Sequence, residues 1–333
     1  MNIFPAQYST LSTGALKDHI EKSYGLKNLA GKFHLRGVSD TYILENDDAK
    51  YIFKVYRSSH RSLTEIKGEV QLLTLLKERG AKVSYPIADL TGNEVQEFNA
   101  VEGIRHGVLF SFAPGKNIPD LTDKHLNILG YEMAFNHNIT SQIELSYERK
   151  IYSIDTTLTQ PIELLAPAFK DYPEGYTYLK EAASQAIVTL NSLDTKTFSY
   201  GYCHYDYLPK NFHFDDQDTL TLFDFDFAGK GFLVNDLASF TVHLYFHITF
   251  QNMPVAEAKR AFEIVVNAYR KLRPLSNEEI QAIPSLGVMF WIFYLGFQYA
   301  NFDDWSNFFF GPRYLKDRVK TIQRYIEIIP HIL

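Results

Sequence analysis

The sequence predicts an α+β chain in two lobes: a small antiparallel sheet carrying one helix, then a larger, mostly helical lobe. Three observations predict it. The first third is rich in β-branched and aromatic residues at strand spacing, one helical stripe interrupts those strands, and long segments of helical periodicity follow the connector APGKNIPD (113–120). At 333 residues the chain is too long for one small core. The division falls near the connector, with a first lobe at 1–110 and a second at 111–333.

KFHLRGVSDTYILE (32–45) and YIFKVY (51–56) read as strands, with the polar ENDDAK between them as a hairpin turn. LTEIKGEVQLLTLLKER (63–79) has apolar residues at helical spacing and stops at Gly80. Two strand-like pieces follow, around Gly92–Ala100 and His106–Phe112. Helical periodicity then covers 123–138, 176–193, 236–250, 254–271, 285–299 and 314–329. The exception is His204–Ala228, HYDYLPKNFHFDDQDTLTLFDFDFA, where NFHF and TLTLFDFDF flank DDQD as a hairpin.

Composition narrows the functional classes. The chain is 46% hydrophobic and 22% charged, which is globular, and its net charge of −6 argues against nucleic acid as a partner. One cysteine, Cys203, excludes an intramolecular disulfide and fits a reducing compartment. The start, MNIFPAQYSTLSTG, has neither a basic nor an apolar leader region, and LGVMFWIFYLGFQYA (286–300) falls short of the roughly 20 residues that span a bilayer. A cytoplasmic protein without a membrane partner is expected.

The chemistry begins with Lys54, inside an apolar strand beside Ile52 and Tyr56. A buried ammonium requires an anion, whereas an edge strand would simply let the lysine reach water. Glu69 shifts that balance, because it falls in the middle of the apolar stripe of Ile66, Val70, Leu72, Leu73 and Leu76. One ion pair would satisfy both residues; Glu65, nearer the stripe's edge, is the second candidate. In HYDYLPKN, Asp206 and Asn211 precede the hairpin, and Asp224 and Asp226 share a parity on its second strand, opposite Phe223, Phe225 and Phe227. An amide oxygen and a carboxylate brought together there make a hard-oxygen site suited to magnesium, and Asp206 remains for proton chemistry.

Lys54, a helix-borne Glu69, HxDxxxxN and a following Asp, in this order, resemble the kinase signature set. More narrowly, HYDYLPKNF with LFDFDFAGKGFLVNDLA is similar to the motifs of the aminoglycoside phosphotransferase and choline kinase family, nearest in flavour to type II homoserine kinases and bacterial stress-response kinases. The resemblance runs from about residue 10 to the C-terminus and includes LGYEMAFNHN (129–138). It implies a protein-kinase-like fold, ATP and Mg2+ as cofactors, and a nucleotide-binding first lobe. Asp206 would orient and accept the proton of the substrate hydroxyl, Asn211 and Asp224 would hold magnesium, and Lys54, steadied by Glu69, would contact the α- and β-phosphates. His204 would support the catalytic loop, Asp236 would receive its backbone N–H groups, and Asp226 would assist from behind. Backbone groups of Phe110, Ser111 and Phe112 would hold the adenine.

The chain departs from the family pattern at three places. Tyr205 stands for the usual glycine after the motif histidine. Leu208 stands for a basic residue, with Lys210 as its substitute, and LRGVSDTYI holds only Gly37. The predicted reaction is phosphorylation of a hydroxyl on a small, amine-bearing molecule of homoserine, amino-alcohol or aminoglycoside type, with Asp303, Asp304 and Trp305 as a candidate patch for the amine. Alternatives are a protein serine/threonine kinase of the stress-response type and a catalytically silent nucleotide-binding regulator.

Overall fold

The computed structural model describes residues 4–301 and 310–333. The chain divides into two compact units. The first takes in Met1–Gly115 and two later segments, Glu144–Arg149 and Thr221–Asp226; the second takes in Lys116–Ile143, Lys150–Leu220 and Phe227–Leu333.

The first unit is built on a six-stranded sheet. Strands β1 (Ala30–Arg36), β2 (Ser39–Glu45), β3 (Lys50–Tyr56) and β6 (Gly103–Ser111) pair antiparallel in that order; β4 (Pro86–Ile87) and β5 (Val95–Ala100) both pair with β6. Where the sequence reads one strand over 32–45, the chain turns at Gly37–Val38 and makes a hairpin of β1 and β2. Helix α1 (Thr13–Tyr24), which periodicity alone does not announce, buries Leu16 and Ile20 in the core beside Tyr42, Leu44 and Phe53, with Tyr24 partly buried against them. Helix α2 (Leu63–Glu78) starts on a capping box, in which Glu65 N–H donates to Ser62 Oγ at 3.1 Å and Glu65 Oε2 accepts from Ser62 N–H at 2.9 Å. That box uses the Glu65 carboxylate at the helix end and leaves Glu69 as the buried acid of α2.

Arg105 on β6 is almost fully buried, yet its donors are met: Nε by Tyr56 O (3.0 Å), Nη1 by Ser9 O (2.7 Å), and Nη2 by Val55 O and Asp40 Oδ2 (3.0 Å each). A guanidinium out of water is tolerated because carbonyls and one carboxylate replace its hydration.

The second unit is helical. Its elements are α3 (Asp123–Thr140), α4 (Gln160–Leu165), α5 (Pro173–Ser192), α6 (Asn235–Phe250), α7 (Val255–Arg270), α8 (Asn277–Asn301) and α9 (Pro312–Ile328). Helix α3 packs on α7, and α8 packs on α4, α5, α6 and α9. Helix α8 begins eight residues before the expected Ser285 because Pro284 is accommodated within it. By length and composition α8 is apolar enough to cross a membrane, but 78% of its most apolar window is buried, as a core helix would be. A short ladder of β7 (Tyr200–Cys203) with β10 (Gly229–Phe232) holds the segment that follows Cys203. Asp215 N–H bonds Thr219 O at 3.1 Å and closes the expected turn after β8 (Phe212–Phe214). Strand β9 (Leu220–Leu222) ends earlier than the sequence suggests: Asp224 takes a left-handed φ of 64°, and Phe225–Phe227 form a 3₁₀ turn. The alternation of FDFD therefore marks a turn and not a continuing strand.

On α6, the rings of His243 and His247 lie 4.2 Å apart, and burial pushes His243 down to about 3. The unfolded chain binds a proton below about pH 6.5 while the folded one does not, so stability falls as pH drops from there. His243→Phe should remove this slope, and between pH 6.5 and 4.5 it should lose roughly 2 kcal/mol less than the unmodified protein. Urea unfolding at the two pH values measures it, and parallel slopes would refute a neutral His243.

Candidate active site

In the first unit, β3 delivers Lys54 into an acidic surround. Its Nζ lies 2.7 Å from Asp224 Oδ1, 3.5 Å from Asp226 Oδ2 and 3.8 Å from Glu69 Oε1. The expected pair with Glu69 is thus present, but the shortest contact is to Asp224. Burial alone would lower the Lys54 pKa; the fields of Asp224, Asp226 and Glu69 outweigh it and hold the ammonium well above its ordinary value. Glu69 behaves oppositely. It is 1% exposed, burial raises its pKa, and Lys54 and Arg149 offset only part of that rise.

Two cations that the sequence reading missed complete this group. Arg61 Nε lies 3.1 Å from Asp226 Oδ1, and its Nη2 donates to Asp226 O. Arg149 donates to Glu65 O, Phe225 O and Asp226 O, and its Nη1 lies 3.9 Å from Glu69 Oε2. Gly68 makes room for that segment, since a Cβ there would meet Glu148 O at 2.6 Å. Neither arginine sits in a recognisable motif; only the surplus of buried acid signals a need for them. Of the three carboxylates around Lys54, Asp224 is the exposed one, at 41%.

The predicted adenine segment lies at the end of β6. Ser111 N–H donates to Tyr85 O at 2.9 Å, and Ser84 Oγ donates to Ser111 O at 2.6 Å. The amide of Ser111 is therefore engaged within the sheet unit, and Lys50 Nζ lies 4.6 Å over the Phe112 ring.

The second unit holds the HYDYLPKN loop. Asp236, at the start of α6, accepts N–H bonds from His204 (2.9 Å) and Tyr205 (2.7 Å) and contacts His137 Nε2 at 3.0 Å, whose Nδ1 meets Tyr269 OH at 2.8 Å. Ser239 Oγ accepts Tyr207 N–H at 2.9 Å. His204 Nδ1 accepts Asp206 N–H at 3.2 Å. Helix α6 thus anchors the loop through an aspartate and a serine one turn apart. The loop turns sharply enough to put Tyr205 at φ 66°, where a bulky residue costs about 1–3 kcal/mol. Its ring offsets that cost by stacking on Tyr152 with centroids 3.5 Å apart and planes within 3°. This is the position where the motif resemblance implies a glycine.

Asp206 is 3% exposed. Asn211 Nδ2 donates to both Asp206 Oδ2 and Asp206 O at 2.8 Å, and Lys210 Nζ lies 2.7 Å from Asp206 Oδ2. With its NH2 engaged, Asn211 has its amide oxygen left to meet a cation. Among the described residues no three His, Cys, Asp or Glu side chains cluster for a metal. An ion that takes most of its ligands from phosphate and water, as magnesium does, fits this donor set better than zinc. Asp206 and Lys210 also line a cavity of about 160 Å³ with the apolar side chains of α6 and α8. Asp303, Asp304 and Trp305, expected to form an amine patch, lie outside the described residues.

Two predictions test these networks. Lys54→Met leaves buried carboxylates without their cation and should destabilise the protein by about 3–5 kcal/mol at pH 7. The Lys54 contribution is complete below about pH 10.4 and is lost only above its raised folded pKa. The gap from the unmodified protein should narrow at pH 5, where the stranded acids take up protons; a constant gap in urea melts would contradict the ionic account. Asp236→Ala orphans the His204 and Tyr205 amides, and their hydrogen exchange should speed up at least about a hundredfold, some 3 kcal/mol of lost local protection. Unchanged exchange would show that the loop is held by something else.

The family model described as "Phosphotransferase enzyme family" (APH) matches residues 31–275. The uncharacterized protein sll1119 of Synechocystis sp. is 28% identical over 323 residues, 96% of this chain and 87% of the relative. Among solved structures, the amicoumacin kinase hAmiN in complex with AMP-PNP, Ca2+ and Ami superposes with a TM-score of 0.73 at 20% identity, over 96% of this chain and 93% of that one. The microcompartment-associated aminopropanol kinase gives 0.73 at 18%, over 95% and 96%. These likenesses show a kinase-like fold, as the motif resemblance implied. With the family model matching most of its length, the chain belongs to the APH phosphotransferase enzyme family.

Proposed function

We propose that the protein is an ATP- and magnesium-dependent phosphotransferase acting on the hydroxyl of a small molecule. The observation that carries this reading is Asp206, a buried carboxylate lining a cavity of about 160 Å³, with its loop anchored on α6. Pockets for drug-sized ligands run to roughly 300–1,000 Å³, so the volume favours an amino alcohol such as homoserine over an aminoglycoside. Amine-bearing acceptors are the first to test, since both structural relatives described above are named as kinases of small molecules. The family's phosphoryl chemistry supports a hydroxyl acceptor. We also place the enzyme in the cytoplasm, with α8 as a core helix.

The roles follow from charge and position. The acceptor hydroxyl gives its proton to Asp206, and its oxygen bonds the γ-phosphorus as the bond to the bridging oxygen breaks and ADP leaves. Asn211 orients Asp206 through its NH2, while Lys210 offsets the carboxylate's charge. Lys54 neutralises phosphate charge, and Glu69, Asp226, Arg61 and Arg149 keep it ordered when Asp224 is drawn to a cation. Asn211 and Asp224 are the residues the motif resemblance assigns to magnesium, which when bound would shield the triphosphate's charge. Little covalent work is left to the protein; positioning and electrostatics supply the rate.

A thermal-shift titration with ATP and magnesium should stabilise the protein. Asp206→Ala should keep that shift while ADP release with an accepted alcohol falls about 10²–10⁴-fold. Undiminished turnover in Asp206→Ala would remove the proton-accepting role. If the unmodified protein binds ATP but consumes none with amino alcohols, aminoglycosides or protein substrates, the silent-regulator reading replaces this one.

A further inference from the structure

The cavity beside Asp206 has further polar lining. Its wall includes Asp206 with Lys210 and apolar side chains of α6 and α8, among them Val242, Phe246 and Phe290. The remaining polar lining includes Trp291 and Gln298 on α8 and Arg318 on α9.

These three groups are donors in want of an acceptor. Trp291 is 8% exposed, and its Nε1, a donor only, has no hydrogen-bond partner among the described residues. Arg318 Nε is likewise buried and unpartnered; the guanidinium rests 4.7 Å from the Tyr314 ring centroid, and no described carboxylate lies within ion-pair reach of it. Gln298 Oε1 accepts the Tyr314 hydroxyl, which turns its NH2 into the part left to donate. Buried donors without acceptors are rare in folded proteins, and the two residues that carry these, Trp291 and Arg318, both line the cavity. The charges point the same way. Asp206 and Lys210 compensate one another at 2.7 Å, so the described lining has one uncompensated charge, the positive one on Arg318.

We propose that the acceptor alcohol carries an anionic group, a carboxylate or a phosphate ester, joined to its hydroxyl by a short apolar body. The hydroxyl meets Asp206, the body lies along the aromatic side chains, and the anion is taken by the Arg318 guanidinium and Gln298 Nε2, beside Trp291. A guanidinium with a neighbouring N–H suits planar, two-oxygen anions better than it suits amines. An amine on the substrate is compatible with this site but is not what its described lining selects. The inference rests on reading this cavity as the acceptor site of the proposed reaction.

Calorimetric binding of matched compounds to the intact protein, without nucleotide, tests it: homoserine against homoserine amide and homoserinol, and glycerol phosphate against glycerol. The better anionic member should bind at least about thirtyfold tighter than its neutral partners, roughly 2 kcal/mol at 1.4 kcal/mol per decade; which anion wins separates carboxylate from phosphate. Arg318→Met should shrink the ratio below about threefold, and Gln298→Met, which keeps the chain length and removes the NH2, should cost the anion about fivefold. Equal binding of homoserine and homoserinol, an undiminished ratio in Arg318→Met, or no millimolar binding by any of the five would overturn it. The parent reading fails separately. Arg318-dependent anion binding without ADP release keeps the site and removes the transfer, whereas ADP release driven only by neutral alcohols keeps the transfer and removes the site.

Discussion

An ionised side chain can leave water only if other charges or oriented N–H groups replace its hydration, and this requirement shapes both units of the protein. In the sheet unit, Lys54 is buried on β3 among Asp224, Asp226 and Glu69, and three acids against one cation leave a surplus of negative charge. Arg61 and Arg149 balance it. That balance explains why the short segment ending at Arg149 and the turn carrying Asp224 and Asp226 belong to the same compact unit as β3. Neither could hold its carboxylate or guanidinium in this apolar surround without the other.

The helical unit meets the same requirement with backbone. Asp236 is 1% exposed, and its hydration is replaced by the amides of His204 and Tyr205 and by His137. Two amides directed at one carboxylate force consecutive residues into a tight turn, so the left-handed Tyr205 follows from satisfying Asp236. A glycine would adopt that turn at no steric cost. Tyrosine adopts it because its ring, stacked on Tyr152 and edge-on to Phe293, recovers burial energy that glycine could not supply. The substitution exchanges backbone ease for side-chain packing, and the orientation of Asp206 is preserved by His204 Nδ1 on its amide and Asn211 on its carboxylate.

How far the sequence discloses this depends on whether a residue breaks a local pattern. Lys54 in an apolar strand and Glu69 at the centre of an apolar helical stripe are local contradictions, and the structure brings them within ionic range. The long helices are legible because their apolar periodicity persists over many turns. Helix α1 is not, since a stripe of Leu16 and Ile20 is too short to stand out. FDFD reads as a strand because alternation is a strand's signature, yet Lys54 and Arg61 draw Asp224 and Asp226 into a turn that only tertiary charge explains. Arg61 and Arg149 look like ordinary surface residues in sequence, because nothing local reveals the acid they serve.

The donor wall of the second-unit cavity was invisible for a related reason. Trp291, Gln298 and Arg318 are spread over two helices, and in sequence each has an unremarkable explanation: core filling, a polar break in an apolar run, an exposed turn of an amphipathic helix. Their meaning comes from what is missing around them. A helix that buries a tryptophan ordinarily finds its N–H a carbonyl or hydroxyl, and α8 does not. Trp291 and Arg318 both line the cavity, and an anion from outside the chain would supply the charge that no described carboxylate gives the guanidinium. In the proposed reaction the polar groups of the cavity then divide the work: Asp206 would engage the group that reacts, and Arg318 with Gln298 would set which molecule presents it.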